Sequence, residues 1–220
     1  MKSSLSIPIA IALGGIIVAA AVYATTPRNQ ADSSNPALVR PVGVGDHIYG
    51  NPAAPVKIVE YSDFDCSYCK GFDGVLRQVI ADSGADGKVA WVFRYFPLVE
   101  IHPDAFKDAL AAECAAQVGG NDGFWRFTQE LFDNQPADPN RFGAYASAAG
   151  IPGNAFATCY ATASSTLSGR VNADRQNALD MGVTGTPYSV ILAPGKAPVA
   201  MSGAYPYDAV KALVEQALAQ

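Results

Sequence analysis

Hydrophobic and polar positions change period several times along the chain, and each change marks an element. Val56-Lys57-Ile58-Val59-Glu60-Tyr61 is a largely apolar, β-branched run of the kind that forms a buried strand. Phe72, Val75, Leu76, Val79 and Ile80 follow at spacings of three and four, which is one face of a helix. Val89 to Tyr95 returns to strand character, so the three elements form a βαβ unit whose strands are parallel. From His102 to Met181 the pattern is helical, with breaks at Gly119-Gly120, Gln135-Pro136, Gly150 to Gly153 and around Ala163 to Ser165, which predicts about five helices. Tyr188 to Leu192 and Val199 to Ser202 then read as short strands about a Pro-Gly turn, and Tyr207 to Ala219 as a closing amphipathic helix. The order is that of an α/β domain with an all-helical subdomain inserted at about 102–181.

Two segments precede this domain, which the pattern places at 42–220. Leu5 to Ala24 is uncharged and mostly apolar behind Lys2, and as a helix it would be about 30 Å long, one hydrocarbon core. It is read as an uncleaved transmembrane anchor (1–24). A signal peptide is the alternative, because Val22-Tyr23-Ala24 offers a small-residue cleavage pattern. Either way the remainder is placed outside the cytoplasm, in the periplasm or on the outer face of the membrane. Residues 25–41 lack periodicity and are expected to be a flexible tether on the order of 20 Å. His47 falls in the turn-rich stretch Gly45 to Pro52 and is expected to be a surface loop histidine.

The net charge of −5 and the absence of any basic run argue against a nucleic-acid partner. Four cysteines among 220 residues are too few to staple the fold, so each pair needs a specific purpose. Cys66-Ser67-Tyr68-Cys69 lies on the strand-to-helix turn, with Cys66 at the helix N-terminus. Unpaired N–H groups and the helix dipole stabilise an anion there, and a thiolate is such an anion. A cysteine activated in this way is a nucleophile at neutral pH, which is the basis of C-x-x-C redox chemistry. Tyr68 adds no positive charge to the helix effect, so the lowering is expected to be smaller than beside a histidine. A Cys₄ zinc site is the rival reading, but Cys114 and Cys159 lack the second C-x-x-C spacing and neither histidine is placed as a ligand. No metal and no cofactor are expected. A binding module without catalysis is a third reading, disfavoured by the intact pair.

Phe64-Asp65-Cys66-Ser67-Tyr68-Cys69, Phe96-Pro97-Leu98, Phe124-Trp125 and Gly182-Val183-Thr184-Gly185-Thr186-Pro187 together resemble the DsbA-like thiol:disulfide oxidoreductases of the thioredoxin superfamily. The resemblance spans roughly Val42 to the C-terminus and implies a thioredoxin-like fold. It implies that Cys66 attacks, that Cys69 resolves, and that a cis Thr186–Pro187 bond faces the pair. It also places an acid, here Glu60, beneath the cysteines to move protons. The residues alone leave open that Glu60 sits at a strand end and reaches solvent. Expected partners are exported proteins bearing thiols or disulfides, and a membrane redox partner that recycles the pair.

Ser67-Tyr68 is not the Pro-His of strongly oxidising members, and Tyr68 and Thr186 resemble isomerase-type and reductase-type relatives. Residues 25–51 are too short for an isomerase dimerisation domain, so a monomeric oxidase is the first reading and a reductase or isomerase the second. Cys114 and Cys159 lie in the same insertion. They are read as a structural disulfide closing a loop of about 45 residues, worth roughly 4 kcal/mol in the chain-entropy model, with two free buried thiols as the alternative.

Overall fold

A computed structural model describes residues 34–84, 86–163 and 165–219. Five strands form one sheet: β1 (His47–Gly50), β2 (Val56–Ser62), β3 (Val89–Tyr95), β4 (Tyr188–Leu192) and β5 (Val199–Ser202), in the order β1-β3-β2-β4-β5. The central pair β2 and β3 is parallel, joined through helix α1 (Ser67–Ser83), and the other neighbours are antiparallel. Six of the seven residues of β2 and all of β3 are buried, which is why these two runs carry no alternation. The anticipated βαβ unit, the two late strands and the closing helix α6 (Tyr207–Leu218) are all present.

The helical insertion comprises α2 (Ala105–Asp133), α3 (Phe142–Ala148), α4 (Gly153–Ala161) and α5 (Ser165–Asp180). Helix α2 is broken at Gly120, whose φ of 67° and ψ of −168° are not helical, so it acts as two segments and the insertion holds five. A second glycine lets those segments approach: a Cβ on Gly123 would stand 3.0 Å from the Ala115 carbonyl. The larger apolar core lies between sheet and insertion and is rich in rings, with Phe64 stacked on Phe93 and Phe124 edge-on to Phe93. A smaller core under Val59, Tyr61, Val92 and Tyr188 faces α5.

Two sequence expectations change. His47 is not a surface loop residue: it opens β1, opposite Phe93, and is buried. Its ring stacks on Phe124 with centroids 3.7 Å apart, and Nε2 lies 2.8 Å from Glu113 Oε1 and 3.2 Å from the Tyr95 hydroxyl. A four-residue, partly exposed edge strand between turns has no apolar run to announce it, so both β1 and the burial of His47 went unread.

The tether reading of 25–41 also divides. Residues 25–33 lie outside the described residues, but Asn35 donates its N–H to the Met181 carbonyl, Pro36–Leu38 form a 3₁₀ turn, and Arg40 pairs with Asp174 at 2.7 Å. Val39 packs against the smaller core, so 34–41 belongs to the domain. The apolar run Leu5 to Ala24 lies outside the described residues as well. Among the described residues, no helix is long and apolar enough to cross a membrane.

Candidate active site

β2 delivers Cys66 to the end of the sheet, and Cys66 becomes the N-cap of α1. Its φ of −78° and ψ of 118° are extended, so the backbone turns into the helix at this residue and the free N–H groups of the first turn converge on its side chain. The turn is held from several sides. Asp63 accepts the Cys66 N–H at its backbone carbonyl (3.1 Å). Asp63 Oδ1 takes the Asp65 N–H at 2.8 Å, and Oδ2 takes the Leu98 N–H at 2.7 Å and lies 2.9 Å from His102 Nδ1. Gln135 Nε2 donates to the Phe64 carbonyl at 2.6 Å. The Phe96-Pro97-Leu98 loop and the insertion are thereby tied to the residues that aim the cysteine.

Cys66 and Cys69 are both thiols here and both buried, Cys66 keeping 7% exposure and Cys69 none. The Thr186–Pro187 peptide is cis, and Cys66 Sγ donates to the Thr186 carbonyl at 3.5 Å. As a thiolate, Cys66 receives the Cys69 thiol, the Thr186 hydroxyl and the backbone N–H groups of Cys69 and Tyr68. The Cys69 hydrogen bond acts most strongly, burial opposes it, and the balance holds Cys66 down at about 5 from a free value of 9.0. Cys69 moves the other way. Burial, the hydrogen bond it makes to Cys66 and the charge of Glu60 all favour its protonated form. The two thiols therefore divide: the one near the surface is the anion, and the one beneath it keeps its proton.

Glu60 does not reach solvent. It stands mid-strand opposite Phe93 and Ser189, is 1% exposed, and neither carboxylate oxygen has a hydrogen-bond partner among the described residues. Burial raises it to about 8, with the charges of Asp73 and Cys66 adding to the effect and the Ser62 hydroxyl and Trp91 indole opposing it. Asp73, one turn beyond Cys69, is also buried. It is gripped by Arg77 at 2.7 and 3.2 Å, whose guanidinium lies 5.2 Å from the Tyr49 ring and 5.8 Å from those of Trp91 and Trp125.

The structure thus gathers Cys66, Cys69, Thr186, Pro187 and Glu60 at one end of the sheet. Cys114 and Cys159 are elsewhere, bonded to each other between α2 and α4 and so unavailable as metal ligands. Asp63, His102, Asp73, Arg77 and Gln135 were missed by sequence reasoning. Only Asp63 carried a signal, an aspartate at the head of a turn whose side chain accepts an N–H two residues on.

A family model described as thioredoxin matches residues 43–214. The chain belongs to this thioredoxin family. Among curated proteins it is similar to Na(+)/H(+) antiporter NhaA 1 of Mycolicibacterium gilvum, 39% identical over 155 residues, covering 68% of this chain and 24% of that protein. It is also similar to the probable disulfide bond formation protein D of Bacillus cereus, 37% identical over 90 residues, 40% of each chain. The chain spans about a quarter of the length of the first of these and two fifths of the second. Among solved structures, Wolbachia pipientis alpha-DsbA1 superposes with a TM-score of 0.69 at 20% identity over 83% of this chain and 94% of that one, which makes the thioredoxin-like fold with its insertion a shared architecture.

Proposed function

We propose that this protein is an extracytoplasmic thiol:disulfide oxidoreductase that introduces disulfides into exported proteins through Cys66 and Cys69. The observation that carries this is the split between the two thiols: a Cys66 thiolate held at about 5 beside a cis Thr186–Pro187 bond, above a protonated, buried Cys69. In the oxidised enzyme a substrate thiolate attacks Cys66 Sγ, a bond forms between the two sulfurs, and the Cys66–Cys69 bond breaks with its electron pair going to Cys69. Cys69 needs a proton at that moment, and Glu60, protonated below about pH 8, is the nearest acid in the strand beneath it. A second substrate thiolate then attacks the substrate sulfur of the mixed disulfide and expels Cys66 as the stabilised thiolate. Two electrons have passed to the enzyme, and a membrane partner would remove them.

A low thiolate pKa stabilises the reduced form and makes the pair oxidising, which favours oxidase over reductase or isomerase. The Cys114–Cys159 disulfide supports an oxidising compartment, and Leu5 to Ala24 supports attachment to a membrane by an uncleaved helix, with the domain acting as a monomer. Equilibrium with glutathione buffers tests the direction. A Cys66–Cys69 potential well above that of glutathione is expected, and one at or below it would assign the reductase role instead. Intact mass of the exported protein tests the anchor: Met1 to Ala24 should be retained, and a mature N-terminus at Thr25 would show cleavage.

A further inference from the structure

Residues 182–187 bring Thr186 to Cys66, and the fold grips this loop at its two ends. On the α5 side Gly182 and Val183 donate their N–H groups to the Leu179 and Ala178 carbonyls at 2.9 and 3.0 Å, and on the β4 side Gly203 donates to the Pro187 carbonyl at 2.9 Å. Thr184 and Gly185, between these grips, are exposed. A loop held in this way has latitude in its middle, yet Thr186 next to that middle has to keep its carbonyl 3.5 Å from Cys66 Sγ. A segment from far upstream in the chain meets both ends at once. Ser34 Oγ lies 2.6 Å from the hydroxyl of Tyr188, the residue after Pro187, and Asn35 donates its N–H at 2.7 Å to the carbonyl of Met181, the residue before Gly182. From there the strap runs along α5: Asn177 donates to the Leu38 carbonyl at 2.8 Å and accepts the Arg40 N–H at 2.9 Å, and Arg40 reaches Asp174 at 2.7 Å. Val39 packs into the smaller core with Met181, Val183 and Tyr188. Two consecutive residues thus bridge the two flanks of the loop, which restricts the freedom of everything between them.

We propose that Ser34, Asn35 and Tyr188 are positioning residues for disulfide exchange: they clamp the flanks of the 182–187 loop and so hold Thr186 against Cys66. The Cys69 thiol and the first-turn N–H groups that stabilise the Cys66 thiolate all belong to α1 and move with it. The Thr186 hydroxyl, which also stabilises it, arrives from a different part of the chain, so its contribution depends on where the loop is held. A donor displaced by about 1 Å loses much of its effect on a developing charge. Releasing the clamp therefore withdraws Thr186 from the sulfur and leaves the α1 donors in place. Ser34, Asn35 and Tyr188 act through the loop, and the strap that carries two of them is held to α5 independently of the loop by Asn177 and Asp174.

This rests on the redox role of Cys66, and the test separates the two. Tyr188→Phe removes the hydroxyl contact and keeps the ring in the core, and Asn35→Pro removes the N–H that meets Met181. Ser34→Thr retains a hydroxyl and serves as the conservative control. All are made in the full-length protein, thermal melts report the fold, and Cys66 is titrated by thiolate absorbance. The wild-type midpoint is expected at about 5. It should rise by about half a pH unit in each single variant and by about one unit in Tyr188→Phe with Asn35→Pro, with the Cys66–Cys69 potential falling in step. Ser34→Thr should match the wild type in both. A double variant that melts earlier but keeps the wild-type midpoint and potential overturns the proposal, because the strap then stabilises the domain and positions nothing. If the double variant does not fold, unchanged midpoints in both single variants overturn it equally. Failure of the redox role alone would look different: the wild-type pair would not exchange with glutathione, while the Cys66 midpoint would still move with the clamp.

Discussion

Two buried polar regions flank β2 and β3, and they are built on opposite plans. On the α5 side Arg94 is completely buried and every part of its guanidinium is used: Asp46 at 2.9 and 3.1 Å, the Tyr61 hydroxyl at 3.0 Å, and the carbonyls of Arg40 and Pro41 at 2.9 and 3.2 Å. Arg40 in turn meets Asp174, which also takes the Tyr95 N–H. On the cysteine side Glu60 and Asp108 are as deeply buried and have no such partners. One residue along each strand separates the plans, since Tyr61 and Arg94 face one way and Glu60 and Phe93 the other. The paired region fixes charges in place. The unpaired region leaves acids neutral, and a neutral buried acid is a group that can give up a proton. Stability is organised around the first and the proposed chemistry around the second.

The largest effect should come from breaking the paired region. Arg94→Met keeps the stem but takes from the buried Asp46 its guanidinium partner and from the Arg40 and Pro41 carbonyls their donor, and is expected to cost about 3–5 kcal/mol in denaturant unfolding. If the cost is below about 1 kcal/mol, the distinction between the two regions fails.

The second prediction concerns pH. Glu60 and Asp108 have native values near 8, above their ordinary 4.5 and 3.8, so the folded protein retains protons that the unfolded chain has released. Their contribution is fully present below the ordinary values and is lost as pH rises toward 8, with a slope of up to ~1.4 kcal/mol per pH unit for each group. Asp46, lowered by Arg94 against the effect of burial, works in the opposite sense and loses its contribution as the solution is acidified. Thermal melts of wild type and Glu60→Gln between about pH 5 and pH 8 should show the wild type falling more steeply.

The same variant sharpens the functional half of the comparison. Glu60→Gln cannot supply a proton to Cys69, and should slow disulfide exchange roughly 10²-fold at neutral pH while leaving the native structure in place. Stopped-flow fluorescence of reduction would measure it, and an unchanged rate would return Glu60 to a purely structural role.

The smallest effect is expected at the rim. Arg40 is 40% exposed along its side chain, so Arg40→Ala should cost about 1 kcal/mol, chiefly by loosening Asp174. A cost equal to that of Arg94→Met would mean that the whole network acts as one unit.

The alternation of strand, helix and strand, the insertion and the closing helix were legible because the chain's period changes where its elements do. The C-x-x-C at a strand-to-helix turn was legible for the same reason: local order places a cysteine on a helix N-terminus whatever the rest of the fold does. The short edge strand β1 and the burial of His47 were not, because that burial comes from Phe124 and Glu113, more than sixty residues away.

What the sequence determined alone was which residues could carry charge and which elements would hold them. Whether an acid ends up paired or stranded depended on what the tertiary structure brought opposite it. Glu60 and Arg94 lie in strands that read alike, yet one faces rings and a thiol while the other faces Asp46 and two carbonyls. Asp63 takes the Asp65 N–H from its own turn, but only folding adds the Leu98 N–H to it and leaves Asp108 buried with no donor among the described residues. Ionisation follows from desolvation and from neighbours within a few ångströms, and those neighbours come from distant parts of the chain.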